Sequence, residues 1–252
     1  IIGIFNLLEI SREYWESLVL DSKNNFRFYH ISTDEVYGEL KPDDPSFKED
    51  NPYIPNSPYS ASKASSDHLV RAWNKTYGLP TLISNCSNNF GPFQYPEKLI
   101  PLCIINALQN KEIPIYGDGK QVRDWLYVKD HCSAVRKILD KGLPGETYNV
   151  GGNNEKTNLE VVSCICDVLN KIRPRENNKS YKELIVHIED RPGHDKRYSI
   201  NSSKIFENIN WAPKESFESG IYKTVNWYLE NPEWLKELMS EEFKKWMEFQ
   251  YK

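Results

Sequence analysis

Glycine is scarce in this 252-residue chain, at twelve residues, and where the glycines fall excludes a common signature. After Gly3 the next is Gly38, and neither Gly117-Asp118-Gly119 nor Gly151-Gly152 extends into the G-x-G-x-x-G spacing that lays a pyrophosphate on a helix N-terminus. The chain therefore carries no dinucleotide fingerprint. An initiating methionine is also lacking. The chain opens at Ile1 inside an apolar periodic segment (Ile4, Leu7, Leu8, Tyr14, Trp15) that reads as the middle of a helix, so the expectation is that further sequence precedes it. No apolar run approaches the roughly 20 residues that span a bilayer, and the first residues lack the basic-then-apolar pattern of a signal peptide. Positive charge is not in excess: 32 Lys and Arg stand against 36 Asp and Glu, a net charge of −4. That leaves no bulk cationic field and argues against nucleic acid and membrane as partners. Five cysteines, Cys86, Cys103, Cys132, Cys164 and Cys166, are odd in number and scattered through apolar runs, which suits reduced thiols in the cytoplasm better than a disulfide framework.

What is present is an alternation of strand and helix patterns. Ile1 to about Val19 reads as a helix, Phe26 to Ser32 as a buried strand, and residues 41–57, rich in proline and acids, as a surface loop. Pro58 opens a helix that runs to Tyr77 and stops at Gly78 and Pro80. Thr81 to Asn85 is a second strand and residues 87–96 a turn-rich stretch. A helix from Leu99 to Gln109, a short strand from Ile113 to Tyr116, the 123–128 segment and a helix to Leu139 follow. Thr147–Val150 and Ile185–Ile188 read as strands on either side of a helix from Leu159 to Ile172 and a polar linker, and the end, from about 219 to 251, as helical. Such alternation argues for an α/β fold with a parallel sheet, as one large domain or two intimately joined ones. No internal repeat is present.

Two motifs carry chemistry. The strand ending at Ser32 delivers Thr33, Asp34 and Glu35 at its carboxyl end, where open α/β sheets place their ligands. If the chain bends there, the adjacent carboxyls of Asp34 and Glu35 reach one ligand from different directions, as a base and an acid would in a dehydration next to a carbonyl. Tyr59 and Lys63 lie four apart on one helix face, and an ammonium beside a phenol favours the phenolate, making tyrosine a usable base. The Tyr-x-x-x-Lys spacing alone arises readily by chance, and an Asp-Glu pair alone is an ordinary solvated turn. Each gains meaning from the other.

The motifs His30-Ile31-Ser32-Thr33-Asp34-Glu35-Val36-Tyr37-Gly38, Tyr59 through Trp73, Asn85-Cys86-Ser87-Asn88-Asn89, Pro96-Glu97-Lys98-Leu99-Ile100-Pro101, Arg123-Asp124-Trp125, Asn149-Val150-Gly151-Gly152 and Arg191-Pro192-Gly193-His194-Asp195 together resemble the extended short-chain dehydrogenase/reductases. Within that family the likeness is greatest to the nucleotide-sugar 4,6-dehydratases. The resemblance implies a partial Rossmann-type parallel sheet with a smaller α/β C-terminal substrate domain. Residues 1–89 and 124–150 would be the remnant of the NAD-binding domain and residues 90–123 and 151–252 the nucleotide-sugar domain. It implies NAD as cofactor, dTDP-glucose as substrate and a homodimer built partly on the first helix and the Tyr59 helix, with Trp15, Leu69 and Trp73 at the interface. By resemblance Tyr59 takes the proton of the sugar 4-hydroxyl, Lys63 lowers the tyrosine pKa and holds the nicotinamide ribose, and Thr33 hydrogen-bonds the same hydroxyl. Glu35 removes the C5 proton, Asp34 protonates the leaving 6-hydroxyl, and Asn89 touches the cofactor. Asn88, Lys98, Leu99, Pro114, Ile115, Tyr116, Arg123, Asn158, Arg191 and His194 are assigned the same way to the sugar-nucleotide pocket. An arginine fork suits a pyrophosphate, although Arg123 and Arg191 taken alone would read as surface ion pairs. The family's glycine-rich unit has no counterpart in the chain, so a full NAD site is not expected from these residues. The competing readings are a sugar-nucleotide epimerase or decarboxylase of the same superfamily, disfavoured by Asp34 and Glu35, and a non-catalytic chain that keeps a sugar-nucleotide pocket.

Overall fold

The computed structural model describes residues 1–190 and 193–238. In chain order the elements are α1 (Ile2–Ser17), α2 (Leu20–Asn25), β1 (Phe28–Thr33), α3 (Pro58–Tyr77), β2 (Thr81–Cys86), β3 (Asn88–Phe90), α4 (Leu99–Leu108), β4 (Ile113–Tyr116), β5 (Val122–Tyr127), α5 (Val128–Lys141), β6 (Thr147–Val150), β7 (Glu155–Thr157), α6 (Asn158–Ile172), β8 (Ile185–Ile188), α7 (Ser203–Ile209), α8 (Phe217–Glu230) and α9 (Pro232–Leu238). Single 3-10 turns occupy Asp34–Tyr37 and Tyr181–Leu184.

Strands β1, β2 and β6 form a parallel sheet with β2 in the centre. Central position explains why the first five residues of β2 are all buried, as a strand covered on both faces requires, whereas β1 at the edge leaves Ile31 44% exposed. The register aligns Thr33 with Cys86 and Cys86 with Val150, so the three carboxyl ends stop at one level. A second sheet joins β3 to β5 in parallel and β5 to β7 antiparallel, and β4 pairs with β8 in parallel. The largest apolar core lies beneath α4, α6 and α8 against β4 and β5, with Phe90, Ile104, Trp125, Ile165 and Phe217 buried in it.

Helix α3 is defined at both ends by local chemistry. Ser57 and Ser60 form a reciprocal capping box, Pro58 sits in the first turn, and Gly78 takes the left-handed conformation that closes the helix. Its apolar side packs on α1 through Ile4, Leu8, Trp15, Leu69 and Trp73, and Trp73 Nε1 donates to Glu9 at 2.7 Å. Trp15, Leu69 and Trp73 thus bury part of their surface in the α1–α3 seam inside one chain, not on a free face. A different stripe of α1 is open: Leu7, Ile10 and Tyr14 are 57%, 64% and 58% exposed.

Several elements differ from the sequence reading, the short helix α2 among them. The turn-rich stretch contains β3, and β7 and α7 were not anticipated; two of these are three residues long, too short for a periodicity to register. The C-terminal helix is broken at Asn231, whose backbone leaves the helical region before Pro232, and residues 239–251 of that expectation lie outside the described residues. No helix among the described residues is long and apolar enough to cross a membrane.

Candidate active site

The site starts where β1 ends. Thr33 caps the 3-10 turn that follows, its Oγ1 accepting the Glu35 N–H at 3.3 Å, so the chain leaves the strand direction at once. Gly38 closes the turn at φ +92°, and a Cβ there would stand 2.4 Å from the Ile54 carbonyl oxygen, so the position needs glycine twice over. The bend sends the two carboxyls different ways. Asp34 is 2% exposed, whereas Glu35 is only partly buried.

That difference separates their chemistry. Burial, then the neighbouring Glu35 and Asp124 carboxyls, push Asp34 up to about 8 against partial relief from Arg123 and the Thr33 hydroxyl. Asp34 therefore carries a proton at neutral pH. Its Oδ1 lies 3.4 Å from Thr33 Oγ1, and its buried Oδ2 has no hydrogen-bond partner. A protonated carboxyl with one buried, unpartnered oxygen is a group equipped to donate.

Tyr59 stands 56% exposed on the first turns of α3. Burial around the hydroxyl, then Glu35, Cys86, Asp34 and Asp67, raise its pKa. The Asp34 and Glu35 carboxyls are thus within electrostatic reach of the Tyr59 hydroxyl. The lysine differs from expectation in this state: Lys63 Nζ donates to the Ile31 carbonyl at 2.7 Å, and the leading influences on the tyrosine raise its pKa instead of lowering it. The spacing placed Lys63 on the correct face, but a backbone acceptor on β1 holds its ammonium. Cys86, level with Thr33, donates to the Ser32 carbonyl at 3.3 Å, and burial pushes its thiol up to about 12.

Asn89 lies at the mouth of the same sheet end. Its Nδ2 donates to Ser87 O at 3.0 Å, and its buried Oδ1 has no partner. An orphaned amide oxygen there, with Nδ2 3.5 Å from Cys86 Sγ, is an acceptor that suits the amide of the nicotinamide end of NAD.

The residues assigned to the sugar nucleotide fall into three situations. Tyr116, Asn158 and His194 belong to one linked cluster: His194 Nδ1 contacts Asp190 Oδ1 at 2.7 Å, Gln121 donates to the other Asp190 oxygen at 3.0 Å, Asn158 N donates to Gln121 O, and the Tyr116 ring meets His194 edge-on. Asn88 and Pro114 are partly buried on β3 and β4, while Lys98 begins α4 paired with Glu97 and Leu99 packs on the core below. Ile115 and Arg123 point away from solvent. Ile115 is 1% exposed because β4 alternates, putting Ile113 and Ile115 in the core and leaving Pro114 and Tyr116 on the other side. Arg123 is 6% exposed, stacks on Tyr198 at 4.5 Å and donates to the carbonyls of Val122 and Asp195. Its guanidinium is thus turned inward, onto a ring and backbone carbonyls. Arg191 lies outside the described residues.

Motif reading overlooked Asp67, buried on α3, which accepts a hydrogen bond from Ser32 and faces His30. The signal was available, since Asp67 follows Lys63 by one helical turn and His30 and Ser32 share a strand face.

The family model described as GDP-mannose 4,6 dehydratase matches residues 1–224. A dTDP-glucose 4,6-dehydratase of Salmonella typhimurium is 56% identical over 259 aligned positions, covering all of this chain and 71% of its own length. Among solved structures, a dTDP-glucose 4,6-dehydratase of Bacillus anthracis in complex with NAD superposes at TM-score 0.83 and 48% identity, over 94% of this chain and 70% of that one. The Streptomyces venezuelae dTDP-glucose 4,6-dehydratase, also NAD-bound, gives 0.82 and 40% over 94% and 67%. With a parallel sheet that ends in Thr-Asp-Glu, a Tyr-x-x-x-Lys helix beside it and this degree of likeness, the chain belongs to the GDP-mannose 4,6 dehydratase family of extended short-chain dehydrogenase/reductases, alongside the dTDP-glucose 4,6-dehydratases.

Proposed function

We propose that the protein is a hydro-lyase that converts dTDP-glucose to dTDP-4-keto-6-deoxyglucose with NAD. The observation that supports this most is the split pair at the end of β1, a protonated Asp34 next to a more open Glu35, in electrostatic reach of Tyr59. Tyr59 takes the proton of the sugar 4-hydroxyl, which Thr33 holds in place. NAD+ supplies, when bound, the acceptor for the C4 hydride and its return to C6, and a positive charge that offsets the carboxylates now raising Tyr59. The 4-ketone acidifies the C5 proton, which Glu35 removes; C5 takes a proton back, exchanged with solvent, as hydride reaches C6. Asp34 gives its proton to the 6-hydroxyl, which leaves as water. The two carboxyls act in opposite directions because burial differs between them. An epimerase needs no acid at C6, so the buried proton on Asp34 has no use in that reading.

In the same reading Tyr59, Lys63 and Asn89 hold the nicotinamide end, and the Tyr116, Asn158 and His194 cluster belongs to the nucleotide sugar, with Asn88, Lys98, Leu99 and Pro114 around it. Residues 1–89 and 124–150 would form the cofactor half and the remainder the sugar half. The open Leu7, Ile10 and Tyr14 stripe of α1 suits a second copy of the chain, and reduced cysteines suit a cytoplasmic enzyme. Incubation with NAD+ and dTDP-glucose in deuterated water tests the reaction: the product should be one water lighter and carry deuterium at C5. A product of unchanged composition with inverted C4 would show an epimerase instead.

A further inference from the structure

Asp67 takes no part in the chemistry above, yet it lies in the same seam. It follows Tyr59 by eight residues and Lys63 by four on α3, hence on the same helix face, and is 2% exposed. Its Oδ2 accepts from Ser32 Oγ at 2.9 Å and from Asn85 Nδ2 at 3.5 Å, and its Oδ1 stands 3.1 Å from His30 Nε2. The same Asn85 amide donates to the Thr33 carbonyl at 3.2 Å and to the Tyr53 hydroxyl at 3.2 Å. With Lys63 on the Ile31 carbonyl, three successive residues of β1, from Ile31 to Thr33, are bonded to α3 or to the β2 side chain that Asp67 engages. The next residue is Asp34. Apolar packing alone would hold α3 near the sheet but leave it free to slide, whereas directional bonds fix its register. A buried carboxyl is costly without partners, and here they come from the strand that leads into the acid–base pair (Ser32), from β2 beside it (Asn85) and from Tyr53 in the covering loop.

We propose that Asp67 is a positioning residue that locks the register of α3 against the end of β1 and so sets the separation between Tyr59, acting at C4, and the Asp34–Glu35 pair, acting at C6 and C5. This rests on the dehydratase reading. Both groups must meet one sugar ring, and an error of about 1 Å in such an arrangement costs about a hundredfold in rate.

The test uses the full-length enzyme with NAD+. Asp67→Asn keeps the size but replaces one of the two acceptor oxygens by a donor and removes the charge, so Ser32, Asn85 and His30 can no longer all face an acceptor. We expect kcat to fall at least about tenfold with KM within about threefold of the parent. The steady-state fraction of enzyme holding NADH, read by absorbance, should rise, because C4 oxidation continues while elimination lags. Ser32→Ala, which removes one bond to the same carboxyl, should shift both readouts in the same direction by less, and it carries the test if Asp67→Asn does not fold. A lowered Tm with kcat and NADH fraction matching the parent would overturn the inference and leave Asp67 a purely structural residue. A parent enzyme that releases no water from dTDP-glucose would instead sink the dehydratase reading on which the inference stands.

Discussion

Asp34 pairs a stability cost with a catalytic use. Its carboxyl rises from an ordinary 3.8 to about 8 on folding, so between those values the folded chain holds a proton that the unfolded chain has released. Stability must then fall as pH climbs through that window, by on the order of several kcal/mol. Asp34→Asn removes the titration, so the variant should gain on the parent in Tm from pH 4 to pH 8; parallel curves would contradict the buried proton. Activity has the opposite need. In the parent, kcat/KM should decline above about pH 8 as the acid is lost, and Asp34→Asn should slow loss of water by at least about a hundredfold while C4 oxidation persists. Glu35→Gln should suppress deuterium exchange at C5, and unchanged exchange would remove Glu35 as the base. Residue identities were legible in the sequence, because Thr-Asp-Glu after an apolar strand and Tyr-x-x-x-Lys on a helix are local patterns. Which carboxyl turns inward was not, since adjacent residues become distinct only once the turn and the loop that covers it are in place. Nor was the fate of Arg123, whose carbonyl partner at Asp195 lies 72 residues further on.

At the scale of elements, the turn from Thr33 to Gly38 is the piece on which the site depends most. Gly38→Ala forces a side chain into a positive-φ position, at about 1–3 kcal/mol, and against the carbonyl oxygen of Ile54, the covering-loop residue whose N–H donates to Val36 O in the turn. We expect a loss of at least about 2 kcal/mol by urea denaturation and a larger proportional loss of elimination than of C4 oxidation. Ser57→Ala should cost about 1 kcal/mol through the α3 cap and leave the ratio of the two steps alone. Long elements with clear ends were readable: α3 runs from its proline to its glycine as the sequence implies, and β4, β6 and β8 coincide with their expected limits. The short ones were not. β3 and β7 exist because β5 offers them both edges, a tertiary fact without a local signature.

For the molecule as a whole, α1 carries two apolar stripes, of which α3 covers one. If a second copy covers the other, Ile10→Lys should shift a dimer toward monomer in sedimentation without disturbing the α1–α3 seam; a parent that sediments as a monomer at micromolar concentration would remove the proposal. An α/β fold with parallel strands was foreseeable from alternating strands and helices. Close approaches between distant segments were not, such as that of Gly152, whose backbone passes so close to Trp125 that any Cβ would collide with it. Burial of Cys86 has a practical side. A thiol held near 12 at the level of the catalytic residues scarcely reacts with alkylating reagents at neutral pH, whereas Cys132 is exposed on α5. A fluorescent label can therefore be attached to the native protein at Cys132, giving an optical reporter that leaves the cleft chemically untouched.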